Sequence, residues 1–296
     1  MEEKSLVTAT ELAELTVTRL DAPLGARVDG IDLSQKMSPS LKQAVLDAWC
    51  EHVILLFPGQ KFTGDEQIAF AREFGPIKER GRPEGRRPEQ KGQDYNAQVM
   101  FISNVVENGI PVGSLPDGEM WFHHDGCYKE HPQRASFLYA IDLPSTGGNT
   151  RFANMYAAYE HVPKEMKTLL ADKTALHVYD YEMRETFDVD AGLEGIAHFS
   201  HPIFIRHPDT GRPALYVNPL MTARINELPA DESRAVLDEL FAIGQDDSVV
   251  YEHVWALGDF IMWDNLCSMH ARTDFPNEER RLLRRCVIEG ERPEAA

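Results

Sequence analysis

The chain is poor in cysteine, in positive charge and in long apolar runs. Its four cysteines, Cys50, Cys127, Cys267 and Cys286, form no CxxC pair. Irregular single thiols exclude a disulfide framework and point to a reducing compartment. Lysine and arginine total 30 against 48 acidic residues, a net charge of −18. So acidic a surface is unsuited to nucleic acid or to an anionic membrane. The N-terminus, MEEKSLVTATELAEL, lacks the basic start and apolar stretch of a signal peptide. Near the front the longest apolar run is Val53–Phe57, far too short to span a bilayer. Repeats and low-complexity segments are also lacking. A cytoplasmic protein of one domain, residues 1–296, is expected.

What is present reads first as two helices. Ser38-Pro39 starts one, with Ser38 as N-cap and Pro39 in the first turn. Thr63 and Glu66 form a capping box for the other, which reads to about Phe74 before Gly75-Pro76 stops it. Val53–Phe57 reads as a buried strand between them. Residues 78–118, rich in glycine, proline and mixed charge, read as a lid or a solvated loop. Its basic residues Arg80, Arg82, Arg86, Arg87 and Lys91 would steer an anion inward. From Arg134 onward, short strand-like runs follow, punctuated by Gly, Pro and Asn and broken by one helix from Pro229 to about Ala242. The pattern predicts a mainly β protein with flanking helices, a sandwich or barrel of the jelly-roll type.

The sharpest local feature is WFHHDGCY. His123 and Asp125 lie two apart, so on a strand both would point to one face, with His124 on the other. A third ligand comes from elsewhere. His270, after the strand-like run GDFIMWDN, is the candidate. Two imidazoles and one carboxylate make a facial triad that suits Fe(II) and leaves coordination positions open. An isolated HxD also occurs by chance, and a lone histidine is usually structural. What adds weight is the segment ERRLLRRCVIEG, four arginines within six positions of an acidic protein. As a strand it would put Arg281 and Arg285 on one face, about 13 Å apart at roughly 3.3 Å per residue. Each guanidinium can hold a carboxylate in a bidentate fork. Arg280 and Arg284, on the opposite face, read as solvated.

At these residues the chain resembles the taurine dioxygenase and 2,4-dichlorophenoxyacetate dioxygenase (TauD/TfdA) family of 2-oxoglutarate-dependent oxygenases. The likeness runs through FPGQKFTGDEQIAFAREFGP, FHHD, PSTGGNTRFANMYAAYEHVP, GDFIMWDNLCSMHAR and RRLLRR, in the family's order. It implies a double-stranded β-helix of cupin-like form, with Fe(II), 2-oxoglutarate and O₂. It implies that His123, Asp125 and His270 bind the iron, and that Arg281 and Thr150 bind the distal carboxylate of 2-oxoglutarate. Arg285 falls where the substrate's acid group is held. Glu119 stands where the taurine enzyme carries a substrate-contacting amide, and a carboxylate there would repel a sulfonate. The implied reaction hydroxylates a small anionic substrate, with cleavage following where the hydroxylated carbon bears a heteroatom, and releases succinate and CO₂. A homodimer or homotetramer is implied too.

Two rival readings remain at this stage. His124-Asp125 is also the dipeptide of metal-dependent HD phosphohydrolases, although Gly126 and Pro132 oppose the helix that chemistry needs. A non-catalytic ligand-binding protein on the same fold is the other. Further expectations are simpler. Asp264 and Asn265 either support His270 or close a turn. His207-Pro208-Asp209-Thr210-Gly211 reads as a hairpin turn, Cys127 as a small buried thiol, His131 as solvent-facing, and the four tryptophans as core or pocket wall.

Overall fold

The computed structural model describes residues 15–79, 98–115, 118–179 and 192–296. Two sheets carry the architecture. The larger has seven strands in the order Thr16–Arg19, Ala26–Asp29, Ile54–Phe57, Phe260–Asp264, Gln133–Asp142, Leu282–Glu289 and Met100–Ser103. Neighbours run antiparallel except Ala26–Asp29 against Ile54–Phe57. The smaller has four strands, Val250–His253, Thr150–Asn154, Ser268–Arg272 and Met120–His123. Facing sheets whose strands cross over in sequence form the double-stranded β-helix, a jelly roll.

Strand alternation explains why the larger sheet is buried on both faces. Ile261, Trp263, Leu138, Ala140 and Leu283 join the core between the sheets. Their neighbours Phe260, Met262, Phe137, Cys286 and Ile288 join a second core under the helices Pro39–His52 and Gly64–Arg72. In that outer core Phe57, Phe70, Phe74, Phe137 and Phe260 pack mostly edge-on or tilted, with ring centroids 5.1 to 6.3 Å apart. The two helix starts form as the sequence predicts. Ser38 Oγ accepts from Leu41 N, and Thr63 and Glu66 make a reciprocal capping box.

Several expectations need correction. The strand after the first helix begins at Ile54, because Val53 turns the chain with φ 72. Two short helices, Met155–His161 and Lys164–Leu170, interrupt the strands besides Ala230–Gly244. Seven residues are too few to show a 3.6-residue period, although Asn154 is a side-chain cap accepting from Tyr156 N and Ala157 N. Within 78–118, Met100–Ser103 is an edge strand of the larger sheet on Leu282–Arg285, and Val106–Glu107 pairs with Ile110–Pro111. The five basic residues named for steering lie outside the described residues.

Other expectations hold. The 207–211 segment is a turn closed by Gly211 N to His207 O. His131 is exposed, and Cys127 is buried, its thiol pushed up to about 12 by burial. Trp49, Trp255 and Trp263 are core, and Trp121, 45% exposed, lines the wall of a cavity. All four cysteines are free. Among the described residues no helix is long and apolar enough to cross a membrane.

Candidate active site

The smaller sheet brings the triad together by register. His270 on Ser268–Arg272 pairs directly with His123 on Met120–His123, and their rings lie 4.2 Å apart. Asp125 arrives differently from the strand alternation expected. The strand ends at His123, and Asp125 sits in the following turn, where Gly126 takes φ +72. His123 Nε2 lies 3.7 Å from Asp125 Oδ1, and His270 Nε2 lies 3.9 Å from Asp125 Oδ2. One donor atom from each of the three residues lies within 4.8 Å of the others, a spacing that one ion can bridge.

The protonation states suit a metal. Trp121 O can only accept, so the 2.9 Å contact puts a proton on His123 Nδ1, and in the neutral ring Nε2 then carries the lone pair that faces Asp125. Burial, followed by neighbouring His123, pushes the His270 imidazole well below its ordinary range, so it is neutral at pH 7. Burial would raise the Asp125 carboxyl. The Arg285 guanidinium, with a hydrogen bond from Ser136, outweighs burial and holds it well below the usual carboxylate range.

Around Asp125 runs a connected set of donors. Ser136 Oγ donates to Asp125 Oδ2 at 2.7 Å. Asn265 Nδ2 donates to Ser136 Oγ at 3.2 Å, while Asn265 Oδ1 accepts from Trp263 Nε1 at 2.8 Å. Arg285 Nη2 donates to Asp125 Oδ2, to Ser136 Oγ at 2.9 Å and to Gln133 Oε1 at 3.2 Å. Thus, of the two alternatives for these residues, the turn holds, with Asn265 in the turn that follows Asp264, and the support Asn265 gives goes to Ser136 on the Asp125 side. Asp264 turns away to Arg134, to His207 Nε2 at 2.9 Å and to Leu266 N at 2.9 Å. That His207–Asp264–Cys267 cluster has metal-ligand residue types. However, His207 Nδ1 accepts from Asp209 N and Thr210 N, which places the proton on Nε2 toward Asp264. With Arg134 on the same carboxylate, the cluster is a hydrogen-bonded brace.

The arginines separate by face. Arg285 shares the inner face with Leu283, and its Nε is buried with no hydrogen-bond partner among the described residues. Arg281, just ahead of the strand, is 1% exposed. Its Nε and Nη2 donate to Gly148 O at 3.1 and 2.9 Å, while Nη1 is buried with no hydrogen-bond partner among the described residues. Burial, with Arg272 nearby, lowers the Arg281 guanidinium to about 9. A buried cation without a carboxylate is costly unless an anion joins it. Gly148 leads within two residues to Thr150, which is buried and accepts from Trp255 Nε1 at 3.0 Å. Arg280 pairs on the surface with Asp142, as expected. Arg284 does not face solvent. It donates to Gln67 Oε1 and Phe62 O, both at 2.7 Å, and lies over Tyr139 beneath the second helix. Glu119 stands apart and exposed, lining a cavity of about 360 Å³ whose walls include none of the triad.

The chain matches the family described as taurine catabolism dioxygenase TauD, TfdA family over residues 15–287. A pentalenolactone F synthase of Streptomyces avermitilis is 35% identical, covering 92% of this chain and 94% of the relative. An alpha-ketoglutarate-dependent 2,4-dichlorophenoxyacetate dioxygenase of a Burkholderia species is 32% identical, covering 90% and 91%. The crystal structure of AAD-2 in complex with Mn(II) and N-oxalylglycine superposes with a TM-score of 0.79 at 26% identity, covering 94% of this chain and 99% of that one. The protein therefore belongs to the TauD/TfdA family. It is a 2-oxoglutarate-dependent dioxygenase, and Fe(II), 2-oxoglutarate and O₂ are its cofactor and co-substrates. The phosphohydrolase reading is set aside. His124 turns to Tyr216 and Asn218, away from Asp125, and neither residue is helical.

Sequence reasoning missed Ser136, Gln133 and Trp255. The serine carried a faint signal, a small hydroxyl in the otherwise apolar run SFLYA.

Proposed function

We propose that His123, Asp125 and His270 hold the Fe(II), and that Arg281 and Thr150 hold the distal carboxylate of 2-oxoglutarate. The observation that supports this most is the pairing of a converging two-histidine, one-carboxylate set with a buried arginine that has no acidic partner among the described residues. Bound Fe(II) supplies the oxidation, consuming O₂ and 2-oxoglutarate, releasing succinate and CO₂, and placing one oxygen atom in a substrate C–H bond. The chain's own residues do the positioning. The Trp121 carbonyl aims His123 Nε2. Ser136 and Arg285 hold Asp125 as an anion in one orientation. Arg281 offers Nη1 to an incoming carboxylate while its other nitrogens stay on Gly148.

Arg285 also faces the substrate. Its free Nε, on the inner face beside Asp125, takes the acid group of a small organic anion, and we read that group as a carboxylate. Glu119 is read from the family likeness as a substrate-contacting position, where its carboxylate disfavours a sulfonate. The substrate is hydroxylated, and it splits where the new alcohol carbon bears a heteroatom. We further infer one domain over the whole chain, a cytoplasmic setting and a homo-oligomer, from the sequence composition and the family likeness.

The test is succinate release from 2-oxoglutarate with Fe(II) across a panel of carboxylic acids, including aryloxyalkanoates and amino-acid-like acids. Release stimulated by at least one such acid, and abolished in His123→Ala, is expected. No stimulated release from the panel would sink the substrate class, and release undiminished in His123→Ala would sink the metal assignment.

A further inference from the structure

Thr150 is one of two groups proposed above for the distal carboxylate of 2-oxoglutarate, and a hydroxyl is an ambiguous partner. It can donate or accept, and its proton rotates to whichever neighbour suits it. Carboxylate recognition needs it as a donor. What fixes the direction is a residue outside the proposed site. Trp255 is 9% exposed, and its indole Nε1 lies 3.0 Å from Thr150 Oγ1. Indole N–H only donates, so Thr150 oxygen must accept there. The hydroxyl proton is then turned outward, away from Trp255.

Trp255 itself is held by a clasp. His253 pairs directly with Thr150 across the smaller sheet, and the chain then leaves the sheet through residues 254–258. His253 Nε2 meets Asp259 Oδ2 at 3.0 Å, and the same oxygen accepts from Ala256 N at 2.9 Å. Tyr251 OH meets His253 Nδ1 at 3.1 Å. Since His253 Nε2 must donate to the carboxylate, Nδ1 accepts from the tyrosine in the neutral ring. Both His253 and Asp259 are buried, at 3% and 5% exposure, within a loop whose Val254 and Leu257 are 70% and 65% exposed. The imidazole packs edge-on to the Trp255 ring at 4.7 Å. A loop that is otherwise open to water thus carries a buried polar lock, and the lock's product is the placement of one indole N–H.

We propose that Trp255 is a positioning residue for 2-oxoglutarate, held by the His253–Asp259 clasp and acting through the Thr150 hydroxyl. This rests on the reading of Thr150 as a co-substrate ligand, so the experiment separates the two. Binding of 2-oxoglutarate to the Fe(II)-loaded full chain is measured without O₂ in wild type, Trp255→Phe, Thr150→Val and the double variant. Fe(II) affinity and the unfolding midpoint are measured beside it. Trp255→Phe keeps a packed ring and removes only the donor. It should weaken 2-oxoglutarate about fivefold, the scale of one neutral hydrogen bond, with Fe(II) affinity unchanged. Thr150→Val should weaken it about tenfold or more. In the Thr150→Val background, Trp255→Phe should add nothing, because both act on the same hydrogen bond. In turnover the Trp255→Phe effect should fall on KM for 2-oxoglutarate and spare kcat.

If Thr150→Val weakens binding and Trp255→Phe does not, the positioning role is overturned and the co-substrate reading stands. If the two losses multiply in the double variant, Trp255 acts by packing and the role is likewise overturned. If Thr150→Val itself has no effect, both readings fall.

Discussion

At the scale of single residues, function rests on how a few buried polar atoms are satisfied. Asp125 is anionic in an interior that penalises charge, and it is kept so by Arg285 and by a hydrogen bond from Ser136. Ser136 is in turn oriented by Asn265. Removing such outer partners typically weakens metal binding 10- to 100-fold. Ser136→Ala and Asn265→Leu should therefore weaken Fe(II) binding by about that range while leaving the fold intact, as read by anaerobic titration and circular dichroism. Wild-type affinity in both would remove the positioning role given to this chain of donors. The triad itself was legible in the sequence, because histidine and carboxylate two apart are rare company for a distant arginine pair. The reason for their convergence was not legible. Strand alternation suggested one face, whereas a turn with Gly126 in the left-handed region swings Asp125 in. Asn265 was likewise visible as a polar residue near His270, but only tertiary packing shows that its amide serves the other side of the site.

At the scale of elements, tight turns place the charged groups. Gly148 has φ +65, and a Cβ there would lie 2.9 Å from Arg281 Nε. Gly148→Ala combines a left-handed backbone cost on the order of 1 kcal/mol with displacement of the guanidinium. It should weaken 2-oxoglutarate binding more than it lowers stability, and isothermal titration beside a urea melt measures both. Equal 2-oxoglutarate affinity would show that Arg281 does not depend on this turn. The neighbouring Gly147 is as crowded, with a built Cβ 2.2 Å from Asp274 O. Long elements were readable. The capping box at Thr63 and the strand-like apolar run in FIMWDN predicted their helix and strand well. Short ones were not, since Met155–His161 and Lys164–Leu170 each span too few residues for a period to emerge. Arg284 was misplaced for a related reason. Alternation puts it opposite Arg285 correctly, but the sequence does not say that a helix covers that face.

At the scale of the whole molecule, the jelly roll buries both faces of its larger sheet and also encloses several neutral histidines. Burial is the largest cause that lowers His201, to about 4, and His124, to about 3, while His177 lies well below its ordinary value. In the unfolded chain these groups titrate near 6.5. Between that value and the folded one the unfolded state binds more protons, so stability is fully present above pH 6.5 and is lost as pH falls. Each such group removes about 1.4 kcal/mol per pH unit in that window. Urea unfolding should thus show a marked loss of stability from pH 7 to pH 5, and His201→Phe should flatten the slope. Identical slopes would mean that His201 is protonated in the folded protein. The overall fold was the most legible feature, because turn residues punctuate short strands from Arg134 onward and because the family blocks span the chain.

The most direct measurement is anaerobic titration of the protein with Fe(II) followed by 2-oxoglutarate, in wild type and in His123→Ala, Asp125→Ala and His270→Ala. One Fe(II) per chain in wild type is expected, with a visible charge-transfer band appearing when 2-oxoglutarate is added. Each substitution should abolish the band and weaken iron binding strongly. Undiminished binding and an unchanged band in all three variants would contradict the placement of the metal at His123, Asp125 and His270.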